Sequence, residues 1–217
     1  MDRSDLAIVI PAYNEEGTVA EVVRNVKCKG LVIVVDDCSS DQTSELAKAA
    51  GAHVVRHESN RGYDGALNTG FEKAKQLGCK YVITFDADGQ HSSKVLDQFI
   101  FKLDAGFDLV VGVRPNAARF AEYLYSQITK IFWGLKDPLC GLKGYDMKMY
   151  DLNGVFDSCA SIGSELAIQS LRKNCSLVQI PIPVADRQEG GSRFGGSISA
   201  NFKIMKAIVN IVVFKAR

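Results

Sequence analysis

The residues best placed to do chemistry are Asp86 and Asp88, in the stretch Phe85-Asp86-Ala87-Asp88-Gly89-Gln90-His91. The apolar run at 81–85 that precedes them predicts a buried strand. Residues i and i+2 of an extended backbone face the same side, so the two carboxylates can converge where the strand ends. Converging carboxylates repel one another unless a positive charge lies between them. A hard divalent cation, Mg²⁺ or Mn²⁺, suits such oxygens and is commonly shared with a substrate's phosphates; Gln90 can add an amide oxygen. The same residues also fit an Asp-Gly turn that opens the next helix, with Ser92 or Ser93 as its N-cap. His91 is read as a helix-start residue outside any metal shell. Taken alone, the pair does not separate the two readings.

The elements around the pair alternate. Residues 6–10 and 31–35 are apolar throughout, as expected of strands covered on both faces, and Pro11 is expected to stop the first. Asn14 is expected to cap a helix carrying Val19, Val22, Val23 and Val26 on one face. The second strand runs into Asp36-Asp37-Cys38-Ser39-Ser40-Asp41, a polar turn that opens a helix near Asp41. A short strand at 53–56 leads through Asn60-Arg61-Gly62-Tyr63-Asp64-Gly65 to a helix presenting Leu67, Gly70, Phe71, Ala74 and Leu77. After the strand at 81–85 come a helix bearing Val95, Leu96, Phe99, Ile100 and Leu103 and a strand at 108–112. Repeated strand–helix units predict an α/β protein with a mostly parallel sheet and helices on both faces. Ligands of such sheets bind beyond the carboxyl ends of the strands, which puts 11–15, 36–41 and 86–90 on one rim. Asp36 is expected to brace its turn, and Gly62, Gly65 and Gly70 to permit tight turns and close packing rather than to cradle phosphate.

Composition narrows the options. A chain of 217 residues, 47% of them hydrophobic, can fill one core, and a net charge of +1 gives no reason to expect nucleic-acid binding. Cys28, Cys38, Cys79, Cys140, Cys159 and Cys175 show no zinc spacing and are expected to be reduced thiols of a cytoplasmic protein. The N-terminal residues do not read as a signal peptide, and no apolar run approaches the roughly 20 residues needed to span a bilayer. Neither G-x-G-x-x-G after the first strand nor G-x-x-x-x-G-K-[ST] occurs, which argues against a dinucleotide oxidoreductase or a P-loop NTPase. An acidic rim suits instead a nucleotide diphosphate held through a metal ion.

Four stretches in order, Ile10-Pro11-Ala12-Tyr13-Asn14-Glu15-Glu16, Val35-Asp36-Asp37-Cys38-Ser39-Ser40-Asp41, Asn60-Arg61-Gly62 through Gly70-Phe71, and Asp86-Ala87-Asp88-Gly89-Gln90-His91, resemble the successive motifs of family 2 glycosyltransferases. Gly112-Val113-Arg114, Asp137-Pro138-Leu139-Cys140-Gly141, and Asp186-Arg187 with Gly190-Gly191-Ser192-Arg193 resemble the dolichyl- or polyprenyl-phosphate mannosyltransferase branch. The resemblance implies a GT-A fold, a single α/β/α sandwich over 1–217. Within it, 1–115 would bind the nucleotide sugar, 116–195 the acceptor, and 196–217 would form a C-terminal amphipathic helix. It implies an inverting, metal-dependent transferase moving a hexose, mannose from GDP-mannose, to a polyprenyl or dolichyl phosphate. The alternative is transfer from a UDP-sugar to a saccharide hydroxyl in cell-surface polysaccharide synthesis. By the same resemblance Pro11, Tyr13, Glu15 and Asp37 hold base and ribose, and Asp86, Ala87 and Asp88 lie against the donor. Asp86, Asp88 and Gln90 ligate Mg²⁺ or Mn²⁺, and Arg114, Arg187 and Arg193 meet the donor diphosphate or the acceptor phosphate. Asp88 and Arg114 are then catalytic. The chemistry agrees: charge growing on a leaving diphosphate is stabilised by a metal and by guanidinium groups.

The acceptor side is less marked. A hydroxyl acceptor needs a general base, whereas a phosphate arrives ionised. Glu165, near a predicted helix start, is the best candidate base, and also an ordinary first-turn glutamate. Asp137 is a second candidate, in a loop that reads as structural. The segments 120–133 and 199–217 are amphipathic, with aromatic and basic residues together. Such stripes usually face a core, yet they also fit peripheral contact with the cytoplasmic face of a membrane or with a membrane partner protein.

Overall fold

The computed structural model describes residues 2–89, 92–117, 119–183 and 197–211. Gln90, Arg187 and Arg193 lie outside the described residues. Seven strands form one sheet in the order β3-β2-β1-β4-β6-β5-β7. They are β1 (Leu6–Ala12), β2 (Leu31–Asp36), β3 (His53–Arg56), β4 (Tyr81–Thr84), β5 (Leu109–Val113), β6 (Lys143–Asp146) and β7 (Leu177–Pro181). Only β6 runs against the others, paired antiparallel to β4 and β5. The helices are α1 (Val19–Val26), α2 (Thr43–Ala50), α3 (Gly62–Gln76), α4 (Leu96–Asp104), α5 (Phe120–Trp133), α6 (Met147–Asn153), α7 (Glu165–Arg172) and α8 (Ser197–Val209).

Alternation along the strands divides the core into two layers. Ile8, Ile10, Val32 and Val34 join Val19, Val22, Val23 and Val26 of α1 and Leu96, Phe99 and Leu103 of α4 on one face. Val9, Ile33 and Val35 join Leu67 and Phe71 of α3, Tyr125 of α5, Leu166 of α7 and Ile204 of α8 on the other. Each such side chain taken out of water contributes about 1.5–3 kcal/mol, so both faces resist exposure and the sheet is fixed as the middle layer.

The expected strands and helices of the first half are present to within about a residue or two, boundaries being soft on that scale. Two local expectations are corrected. Pro11 does not stop β1, which runs on to Ala12. The Ala12 carbonyl accepts from Asp37 and the Val9 carbonyl from Phe85, so the imino nitrogen of Pro11 faces the β4 side, beyond the last pair, Val9 with Thr84. A proline costs no ladder bond there. Asn14 is not a helix cap: it adopts φ 52°, and its Oδ1 accepts the Ser40 N–H at 2.8 Å. Thr18 precedes α1 instead. Strands β6 and β7 come in addition to the five expected. The strand order reverses between β1 and β4, with β2 and β3 on one side and β4 on the other, and at such a point ligands of open α/β sheets bind beyond the carboxyl edge.

Helix α3 lies close to the sheet at Gly70, where a Cβ would overlap a Val9 methyl group. Val9 is fully buried and cannot retreat. Replacing Gly70 by Ala should therefore lower stability by about 1–3 kcal/mol, read as an earlier thermal melt, despite alanine's better helix propensity; an unchanged melt would contradict the packing described.

Candidate active site

Four loop clusters meet at that edge. The turns after β1 and β2 are stitched together: the Asn14 N–H donates to Ser39 Oγ at 2.9 Å and the Glu15 N–H to Thr43 Oγ1 at 2.8 Å, while within the first turn Thr18 Oγ1 donates to Glu15 Oε2 at 3.2 Å. Pro11 is half-buried at the end of β1, and Tyr13 stands exposed above it. Asp36, as expected, braces its own turn: it is fully buried, accepts the Ser39 N–H at 2.9 Å and the Ser44 hydroxyl, and faces Arg56 at 3.3 Å.

Asp37 is buried as well. Its carboxylate meets His57 Nδ1 at 2.8 Å and accepts the N–H groups of Arg61 and Gly62, both at 2.7 Å. His57 Nε2 continues the chain to Thr69 Oγ1 at 2.8 Å. Gly62 takes φ +75°, a conformation that favours glycine. The carboxylate that the resemblance turns toward base and ribose thus ties β2, the β3 exit and the start of α3 into one rigid floor.

At the end of β4, Phe85 and Ala87 enter the core while Asp86 and Asp88 stay partly exposed, the alternation an extended stretch requires. Tyr63 Oη donates to Asp86 Oδ1 at 3.4 Å. The turn before β6 passes directly beneath Asp86: a Cβ on Gly141 would overlap both carboxylate oxygens. The expected Ser92 cap is present, its side chain accepting from Lys94 ahead of α4. Two carboxylates cradled at a strand end, half open to solvent, suit a hard divalent ion with oxygen ligands. Among the described residues the only cluster of three His, Cys, Asp or Glu side chains with metal-like spacing is elsewhere, at Asp157, Cys159 and Glu165. There the carboxylates already accept from Ser161, Cys159 and Ser158, so the cluster braces a turn.

Arg114, at the end of β5, forks onto Asp137 through Nε at 2.8 Å and Nη2 at 2.9 Å, and reaches Glu122 at 3.3 Å. Burial raises the Asp137 carboxyl, but the guanidinium more than offsets this and holds it below the usual range. Asp137, the loop carboxylate, is thereby a positioning group for Arg114. Glu165 is buried at the start of α7 and accepts the Ser158 N–H at 2.6 Å and its hydroxyl at 3.1 Å.

Several residues that hold this site carry no local sequence signal. Lys143 is buried in β6, where burial pushes its amine down, and donates to the carbonyls of Cys140 at 2.7 Å and Gly163 at 3.0 Å. It therefore links the turn under Asp86 to the turn before α7. That second turn is strained: Ala160, Ile162 and Gly163 have φ of 54°, 60° and 69°, costly for a β-branched residue. Asp64 secures it by accepting the N–H groups of Gly163 at 2.6 Å and Ile162 at 3.2 Å. Asn68 fixes Phe156 and Asp157, and Tyr125 meets Ser164 at 2.6 Å. All six cysteines are free, as expected.

Residues 7–165 match Glycosyl transferase family 2. The chain belongs to that family. It is 36% identical to the UDP-N-acetylglucosamine–dolichyl-phosphate N-acetylglucosaminyltransferase of Methanococcus voltae, over 96% of each chain. It is 26% identical to the polyprenol monophosphomannose synthase of Mycolicibacterium smegmatis, over 88% of this chain and 81% of that one. Among solved structures it resembles glucosyl-3-phosphoglycerate synthase from Mycobacterium tuberculosis in complex with Mn²⁺ and UDP-glucose, with a TM-score of 0.74 and 18% identity over 94% of this chain and 78% of that one. The shared architecture is the GT-A fold, and the protein is a glycosyltransferase.

Burial, and next the charge of Asp157, push the Asp64 carboxyl up to about 6 from an ordinary 3.8. A raised folded value means that the folded state binds this proton more tightly than the unfolded one. The contribution is full below about pH 4 and is lost as pH rises through about 6, a swing of up to about 3 kcal/mol. Asp64→Asn removes that titration. Melting temperature measured from acid to neutral pH should fall less in the variant than in the parent across this window; parallel curves would contradict the burial of charge at Asp64.

Proposed function

We propose that the protein transfers a hexose, with inversion, from a nucleotide diphosphate sugar to a polyprenyl or dolichyl phosphate. The observation that carries the acceptor class is the engagement of both candidate bases, Asp137 by Arg114 and Glu165 by Ser158. A hydroxyl nucleophile would need one of them to take its proton; a phosphate oxygen needs neither. The relatives from Methanococcus voltae and Mycolicibacterium smegmatis, named for dolichyl-phosphate and polyprenol-linked products, support the same acceptor. We read the donor as GDP-mannose, in keeping with the mycobacterial relative. A UDP-sugar is the second reading, favoured by the higher identity to the Methanococcus enzyme.

In this reading Pro11, Tyr13, Glu15 and Asp37 line the base and ribose side, with Asp86, Ala87 and Asp88 against the diphosphate. Mg²⁺ or Mn²⁺ held by Asp86 and Asp88, with Gln90 as a further oxygen donor, would supply positive charge to the leaving diphosphate. Arg114, fixed in direction by Asp137, adds a planar cation on the same side, and Arg187 and Arg193 are proposed to meet the acceptor phosphate. The reaction belongs at the cytoplasmic surface of a membrane, where a lipid phosphate meets a water-soluble donor.

Asp88→Ala should cost at least about a hundredfold in transfer while the variant stays folded; full activity, or indifference of the parent to EDTA, would sink the metal role. Glu165→Gln keeps an acceptor for Ser158 and should change turnover only a few-fold. Loss of most turnover there would instead favour a base and a saccharide hydroxyl.

A further inference from the structure

His57 is a buried side chain to which the proposed transfer gives no role, yet both of its ring nitrogens are held. Its backbone N–H donates to the Asp36 carbonyl at 2.9 Å as the chain leaves β3, so the residue is fixed at its main chain as well. Nδ1 lies 2.8 Å from Asp37 Oδ1, and Nε2 lies 2.8 Å from Thr69 Oγ1. A carboxylate oxygen can only accept, so Nδ1 carries a proton; in the neutral ring Nε2 then accepts from the Thr69 hydroxyl. Thr69 is held in turn, because it precedes Gly70, where α3 seats against Val9. The ring cannot swing without breaking two hydrogen bonds of good length.

This ring decides how much of Asp37 is left for a ligand. A carboxylate has about four acceptor positions, shared equally between its oxygens. Those on Oδ1 are both taken, by His57 Nδ1 and by the Arg61 N–H, whereas Oδ2 accepts only the Gly62 N–H. One position remains, on Oδ2. Tethering the loops does not call for the imidazole: the Arg61 and Gly62 N–H groups already tie the carboxylate to the start of α3, and the Asp37 carbonyl accepts from Asn60 Nδ2 at 3.3 Å. What the imidazole adds is saturation of Oδ1. Without it a vacancy would open on the inner side of a buried carboxylate, and the group would relieve that vacancy by turning toward it or by drawing in water. We infer that His57 is a positioning residue for nucleoside recognition. It saturates Oδ1 of Asp37, so that this carboxylate meets the donor through a single acceptor position on Oδ2, taking one N–H or O–H from base or ribose. The inference rests on the proposed placement of Asp37 beside the nucleoside.

The test is titration calorimetry of the full chain with Mg²⁺, using GDP, UDP and inorganic pyrophosphate as probes. Pyrophosphate shares the diphosphate and lacks the nucleoside. Two polar substitutions separate the position of the N–H from bulk, since the amide nitrogen of asparagine falls near the place of Nδ1 and that of glutamine near Nε2. His57→Asn should bind whichever nucleotide the parent prefers within about threefold of the parent, whereas His57→Gln, which leaves Oδ1 short of a donor, should bind it roughly tenfold more weakly. Thr69→Val keeps the imidazole and removes the hydroxyl that aims it, and should weaken the same nucleotide roughly threefold. Pyrophosphate should bind all three variants like the parent. Equal nucleotide affinities in His57→Asn and His57→Gln overturn the inference, as does a loss that pyrophosphate shares, because a structural defect would spare neither probe. Should His57→Gln fail to fold, Thr69→Val decides alone, and parent-like nucleotide binding there overturns the inference. Asp37→Asn separates this inference from the reading beneath it. Nucleotide binding weakened by Asp37→Asn and untouched by His57→Gln removes the role of His57 and leaves the donor reading standing. Nucleotide binding untouched by Asp37→Asn, or absent in the parent, overturns both.

Discussion

Asp86 can occupy the end of β4 only because residue 141 has no side chain. The antiparallel strand β6 is inserted between β4 and β5, and the turn that starts it runs directly under the Asp86 carboxylate, at a distance no Cβ would tolerate. From that close approach the rest of the site follows. Two residues on, Lys143 is drawn into the interior, where its amine bonds the carbonyls on either side and ties the Asp86 floor to the turn before α7. A buried ammonium is costly unless its donors are satisfied, so the two turns hold each other at a fixed separation.

The turns after β2 and β3 are held in a complementary way. Asp37 spends its carboxylate on His57 and on two backbone N–H groups at the entry to α3. The same helix, through Asp64 and Asn68, clamps the strained turn that leads into α7. Helix α3 therefore couples the Asp37 floor to the turn before α7, and its tight seat on β1 at Gly70 sets the height of both. The proposed transfer, which must place a diphosphate and a nucleophile in line, would benefit from such preorganisation, because misplacement by about 1 Å can cost on the order of a hundredfold in rate.

What the sequence made legible is what local pattern can encode. Strands such as 31–35 and helices such as α1 announce themselves by runs and periods of apolar residues, and the rim of the site follows from their alternation. Strand β6 did not announce itself: Lys143-Gly144-Tyr145-Asp146 has a lysine and a glycine where a buried strand should have aliphatic residues, and both are there for reasons of packing with distant elements. Asn14 misled for a similar reason, since its side chain serves the neighbouring loop through Ser40 rather than its own helix. Asn68 bonds residues almost ninety positions away, which no short-range pattern could reveal. The acidic pair was visible at once; the groups that aim it were not.

Asp86 and Asp88 are proposed to serve a metal-bound donor diphosphate. A thermal-shift titration with GDP-mannose and with UDP-sugars, each in the presence and absence of Mn²⁺, tests it most directly. One donor should raise the melting temperature by mass action only when the metal is present. A donor that stabilises the protein equally in EDTA would contradict it.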